Sequence, residues 1–183
     1  MIILTGASAS GKTVTALGLQ RKYSLKKAIT STTREKRVGE EHGKDYFFYT
    51  KEEFLKRRDE NKFVETSLYN NNYYGCGVDQ VSDDKVIVLD PNGLHSFQKL
   101  NNKNIVSFLL TCDEKEREKR MILRGDETNK IKERLTNDRI DFAKDKIGKV
   151  DCVIDTQNKS IDDVIDTIYC LYQDIIAKNN KEE

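Results

Sequence analysis

The 183 residues suit one hydrophobic core and would be cramped as two complete domains. Lys and Arg number 32 against 31 Asp and Glu, a net charge of +1, which excludes a broad cationic surface for nucleic acid, so any anion must be met by a local cluster of donors. No apolar run approaches the ~18 residues of a membrane span, and Cys76, Cys112, Cys152 and Cys170 form neither a C-x-x-C pair nor a metal-ligand spacing with His42 and His95.

These features, with no basic or long apolar leader before Thr5, lead us to expect a cytoplasmic protein with reduced thiols and no membrane or nucleic-acid partner. In chain order, Ile2 to Thr5 reads as a short buried strand. Gly6-Ala7-Ser8-Ala9-Ser10-Gly11-Lys12-Thr13 follows at once, fulfils G-x-x-x-x-G-K-[ST] and opens a helical stretch. Such a loop converges backbone N–H donors on phosphate at a helix N-terminus. Ser8, Ala9, Ser10, Gly11, Lys12 and Thr13 are therefore the candidate ATP-binding residues, with Lys12 on the β- and γ-phosphates and the Thr13 hydroxyl on Mg²⁺. The bland alternative, a turn that merely joins strand to helix, is outweighed by the full match in its proper context.

Ala28 to Thr30 is a second core run, after which the texture changes. Between about 33 and 80 the spacing predicts aromatic strands at Tyr46 to Tyr49, Phe63 to Tyr69 and Tyr73 to Cys76, a charged helix at 51 to 60, and a hairpin turn at Asn70-Asn71-Asn72. The expectation is a small mixed sheet inserted into an α/β core. Val86 to Leu89 is an apolar strand ending in Asp90, the form of a strand-end carboxylate that holds Mg²⁺, although Pro91 and Asn92 would equally suit a simple turn. Ile105 to Leu110 and Cys152 to Ile154 complete the core runs. Ser160 to Asp163 reads as a capping box for a last helix with Ile161, Val164, Ile165, Ile168, Tyr172 and Ile175 on one face. Lys119 to Gly125 is, by itself, a charge run with a poor apolar stripe.

A second anion site is legible in the middle of the chain. Arg34 and Arg37 follow a core strand and could clamp a phosphate bidentately. Tyr74 and Cys76 share a strand face, Tyr46 can add a hydroxyl, and Glu65 is a lone carboxylate suited to the N–H donors of a purine.

The stretch from Thr30 to Phe48 is similar to the S-x-T-T-R-x-x-R-x-G-E-x-x-G-x-D-Y-x-F signature of guanylate kinases, and Asn72-Tyr73-Tyr74-Gly75 matches their N-Y-Y-G element. The chain thus resembles that family from Ile2 to about Ile176. The resemblance implies a P-loop α/β core with a five-stranded parallel sheet at 1–32 and 81–183, a mixed-β GMP-binding domain at 33–80, and a lid near 120–134. It also implies transfer of the γ-phosphoryl of Mg-ATP to GMP or dGMP. Arg34, Arg37, Tyr46 and Tyr74 would hold the acceptor phosphate, Glu65 and Thr30 the base. Arg120, Arg124 and Arg134 would join Lys12, Arg34 and Arg37 as catalytic cations. Three positions depart from the family. Cys76 stands where Ser or Thr donates to the guanine O6, Asn92 lies about where a second base-facing Asp is expected, and Asp155 replaces a commoner Asn. The alternatives are a phosphotransferase with another acceptor and a guanylate-kinase-like module that binds a protein; intact Gly11-Lys12-Thr13 and the arginines speak against the module.

Overall fold

The computed structural model describes residues 1–69 and 71–181. Short apolar runs suit a parallel sheet, and four of them, joined at one edge by the charged pair Lys26–Lys27, form one here. Its order is β2 (Lys26–Lys27), β7 (Lys85–Val88), β1 (Ile2–Thr5), β8 (Val106–Thr111), β9 (Cys152–Asp155), every pairing parallel. Alternation along β1 sends Ile2 and Leu4 to one face and Ile3 to the other. On the first face they meet Ala16 and Leu19 of α1 (Lys12–Tyr23) and Val164, Ile165, Ile168 and Tyr172 of α7 (Ile161–Asn179). On the second lie Leu94 and Phe97 of α3 (Pro91–Gln98). The two helices of the first face approach so closely that a Cβ on Gly18 would sit 2.0 Å from Ile165 Cδ1. Each fully buried aliphatic side chain of this kind contributes about 1.5–3 kcal/mol.

The second sheet has the order β4 (Phe47–Phe48), β3 (Ser31–Thr32), β6 (Asn72–Gly77), β5 (Phe63–Tyr69). It is mixed: β3 runs parallel to β4 and antiparallel to β6, which is antiparallel to β5. α2 (Lys51–Asp59) begins in a full capping box between Thr50 and Glu53 and seats Phe54 against the rings of Phe63 and Tyr73. A helical hairpin, α4 (Glu114–Leu123) and α5 (Thr128–Asp141), turns at Gly125 with φ +82° and encloses its own cluster of Met121, Ile131 and Leu135 on Ala9. A four-residue helix, α6 (Lys144–Ile147), follows it.

Several local expectations shift. Ala28 to Thr30 is not a strand: the core strand is the exposed pair Lys26–Lys27, Ala28 adds one bond to Val86 O, and Ser31–Thr32 already belongs to the second sheet. The run expected at Tyr46 to Tyr49 is a strand only at Phe47–Phe48, with Tyr46 in an isolated bridge to His42 and the Tyr49 N–H donating to Thr32 O. Ser160 accepts the Asp163 N–H, but the Asp163 carboxylate accepts from the Ser160 hydroxyl rather than its backbone, so only half of the box forms. Ile161 is left exposed. At the predicted hairpin Asn71 adopts φ 61°, while Asn70 lies outside the described residues. The chain crosses between the sheets at residues 28–31 and 77–85. Buried Gln80 spans both crossings, its Oε1 accepting the Ile29 N–H at 3.1 Å and the Lys85 ammonium at 2.9 Å. No helix of the described residues is long and apolar enough to cross a membrane.

Candidate active site

The loop between β1 and α1 lies at the carboxyl end of the parallel sheet, where such sheets bind ligands. Gly6 has φ +146°, and a Cβ there would stand 2.3 Å from Leu110 O, so only glycine fits. Gly11, at φ 101°, turns the chain into α1. Lys12 folds back, its Nζ donating to Gly6 O at 2.5 Å and Ala7 O at 2.8 Å. Burial lowers its pKa to about 8, against an opposing pull from Asp138. The Thr13 side chain is exposed at the head of the helix. Ser8 has no donor to spare: its N–H and hydroxyl both go to Asp138, at 3.0 and 3.1 Å.

A cavity of about 340 Å³ is bordered by Ala9, Gly11, Lys12 and Thr13 of the loop, by Arg120 and Arg124 of the hairpin, and by Thr156. Arg120 reaches Ala9 O at 3.4 Å and Thr156 O at 3.2 Å and pairs with Glu116. Arg124 pairs with Asp126, which also takes Arg134 at 3.1 Å, so Asp126 links these two guanidinium groups and its pKa falls. Arg134 does not line the cavity.

In the second sheet, the Arg34 guanidinium lies over the rings of Tyr46 and Phe48, at 5.6 and 5.8 Å. Its outer nitrogen meets both Glu40 oxygens at 2.7 and 3.0 Å. Glu40 also accepts the Arg37 N–H at 2.8 Å, and these bonds from Arg34 and Arg37 lower its pKa. The Arg37 side chain is exposed. The rings of Tyr46 and Tyr74 meet edge to face at 6.3 Å. Burial raises the pKa of Glu65 to about 7; the Cys76 N–H bonds its carboxyl group and opposes the shift, whereas the charge of Asp90 adds to it. A second cavity, about 300 Å³, joins the two halves: Thr13, Leu17 and Val88 form one side, Thr30 and Tyr46 the other.

The sequence model described as Guanylate kinase matches residues 1–175 of this chain. The chain belongs to the guanylate kinase family. A guanylate kinase of Shouchella clausii is 30% identical over 154 residues, covering 80% of this chain and 73% of the relative. One of Clostridium tetani is 28% identical over 200 residues, covering 96% and 95%. The crystal structure of guanylate kinase from Anaplasma phagocytophilum superposes with a TM-score of 0.66 at 22% identity, covering 94% of this chain and 84% of that one, a likeness of fold.

Four of the expected positions stand apart from the rest in the structure. Ser8 is committed to Asp138 and has no N–H left for phosphate. Cys76 is fully enclosed in the core cluster with Ala28, Ile87 and Leu94, its thiol 3.8 Å from Gly77 O; it meets Glu65 through its backbone, and burial drives the thiol pKa up to about 12. Asp90 does not border the cavity that holds Thr13; its carboxylate caps α3 by accepting the Gly93 N–H at 2.7 Å, and its charge acts on Glu65. Asn92, expected at the base, is an exposed residue in the first turn of α3. Both shifts have one cause: Pro91 at the first helical position starts the helix at once, so the carboxylate before it becomes the cap.

The sequence reading missed Glu40, Thr156, Arg117 and Asp138. Arg117 and Asp138 left a faint signal. They sit on the same helical stripes as Met121 and Leu135, charged residues at positions where a core side chain belongs.

Proposed function

We propose that this guanylate kinase transfers the γ-phosphoryl of Mg-ATP to GMP or dGMP, releasing ADP and GDP or dGDP respectively. The carrying observation is the cavity shared by Thr13 of the phosphate loop and by Thr30 and Tyr46 of the second sheet, which sets two anion-handling groups of residues on one cleft.

In this reading the loop from Ala9 to Thr13 holds the ATP phosphates, and Lys12 leaves its carbonyl partners to meet them. Mg²⁺ enters with ATP, and the exposed Thr13 hydroxyl fits as one protein ligand to a cation otherwise held by phosphate and water. Asp90, capping α3, is better suited to the base end beside Glu65 than to that cation. Arg34, Arg37, Tyr46 and Tyr74 hold the acceptor phosphate, whose oxygen attacks the γ-phosphorus as the bridging oxygen departs with ADP. Glu65 accepts from the guanine N1–H and N2–H, and Thr30 stands beside the base. Residues 33–80 act as the GMP-binding domain, and 120–134 as a lid carrying Arg120, Arg124 and Arg134. Positioning and charge neutralisation do the catalytic work, without a covalent enzyme intermediate. Closure keeps water from the γ-phosphoryl group. Phosphorylated substrates and four free thiols fit a cytoplasmic location.

A coupled assay of ADP release with GMP, dGMP, IMP and AMP tests the reading. Turnover with GMP and little with AMP is expected; preference for AMP would overturn the guanine assignment, and no turnover with any acceptor would overturn the kinase.

A further inference from the structure

We propose that Arg117 and Asp138 are a positioning pair that clamps the phosphate loop to the α4–α5 hairpin and presets its shape before nucleotide arrives. The two side chains are 8% and 10% exposed and paired at 2.7 Å. Asp138 grips Ser8 by its N–H and its hydroxyl, while Arg117 reaches Ser8 O at 3.3 Å and Cys112 O at 3.3 Å. Every backbone and side-chain polar group of Ser8 is thereby engaged by residues more than one hundred positions away in the chain.

The next residue shows what the clamp holds. Ala9 adopts φ 59°, a left-handed conformation that a residue with a Cβ avoids unless its surroundings over-determine it. Those surroundings are the same hairpin: the Ala9 side chain packs on the cluster of Met121, Ile131 and Leu135, and its carbonyl accepts from Arg120 at 3.4 Å. Stability alone is a poor reason to bury such a pair, because well-packed apolar residues of similar volume commonly serve as well or better. A preset loop is a functional reason, since phosphate then meets donors already aligned and the ordering cost of binding falls. The charges of the two partners also act on Lys12 in opposite senses, Asp138 favouring its charged form and Arg117 opposing it.

This inference rests on the kinase reading only for the identity of the nucleotide. The test compares wild type with Arg117→Leu/Asp138→Ala, which removes both charges together, and with Asp138→Asn, which keeps the shape and one acceptor oxygen. Exchange of the Ser8 amide proton, followed by NMR without nucleotide, is expected to be slow in wild type and at least ~10-fold faster in the double variant. Asp138→Asn should lie between them and decides the matter if the double variant does not fold. In parallel, calorimetry should show a non-hydrolysable ATP analogue bound about 10-fold more weakly by the double variant and GMP bound unchanged. Wild-type exchange at Ser8 in a folded variant, or equal weakening of both ligands, overturns the clamp. If wild type binds no ATP analogue, the kinase reading fails while Ser8 exchange still judges the clamp.

Discussion

The two regions proposed to handle anions are built from different materials. The phosphate loop is mostly backbone: its donors are peptide N–H groups shaped by Gly6 and Gly11 and braced from behind by the buried Arg117–Asp138 pair. The second region is mostly side chain. Arg34 is held by a half-buried carboxylate and two aromatic faces, and the Arg37 side chain lies in solvent. A backbone cradle resists deformation but recognises only phosphate, whereas side chains on a small sheet can be rearranged to read a whole nucleotide. Ligand charge should therefore disturb the first region little and the second more.

The sharpest way to break this contrast is Lys12→Ala, which removes the cationic side chain of the loop itself. Its loss should lower kcat by ~10² to 10³ while circular dichroism and the melting temperature stay near wild type. A folded variant with normal turnover would leave the backbone loop without its assigned cation.

Next come Arg34→Ala and Arg37→Ala. Each charge-assisted contact is worth about 1.5–3 kcal/mol, so GMP affinity should fall ~10- to 150-fold per variant with the affinity for an ATP analogue unchanged. Equal losses for both ligands in separate titrations would merge the two regions into one site.

Acidity sharpens the comparison further, because the two regions should respond to pH in opposite directions. Burial lowers the pKa of Lys12 to about 8, and bound phosphate favours its charged form, so ATP affinity should fall as pH rises above 8 and binding there should take up a proton. Burial raises the pKa of Glu65 to about 7, and guanine donors favour the carboxylate, so GMP affinity should fall as pH drops below 7 and binding there should release a proton. Calorimetry in buffers of different ionisation enthalpy reads both signs; parallel slopes would refute the assignments.

The smallest effect belongs to Cys76. Its thiol is enclosed at 0% exposure, so Cys76→Ser should cost about 1–3 kcal/mol of stability by burying a hydroxyl with poor partners, and leave the ratio of GMP to IMP affinity unchanged. A changed ratio would return this residue to the base.

What could be read from the chain alone follows the same division. The phosphate loop is contiguous, so its pattern was complete in eight residues, and the Arg34 to Phe48 stretch was legible for the same reason. The parallel core was legible where a strand is a short apolar run, as in β1, β7, β8 and β9, and was misplaced at β2, where the strand is Lys26–Lys27. The cap made by Asp90 was not legible because nothing local distinguishes a metal ligand from a helix cap, and Pro91 marks it only once the helix is seen to begin there. The depth of Cys76 was not legible because the two-residue period gives a face, not a depth. Asp138 was out of reach, since its meaning lies in a bond to Ser8 across 130 positions, between a loop and a helix that look independent in one dimension.

Gln80 has a mechanical consequence. One crossing between the sheets leaves only Ile29 and Thr30 between the last core-sheet bond of Ala28 and the first residue of β3, and the three steps from Ala28 to Ser31 reach no more than ~11 Å at full extension. By pinning that stretch to the return crossing through Ile29 and Lys85, Gln80 ties the two crossings to each other. With Cys76 of β6 and Val64 of β5 packed into the cluster of Ala28, Ile87 and Leu94 beside them, the second sheet is moored to the core by bond and by packing at the same end, and the register between Arg34, Tyr46 and the phosphate loop is set there.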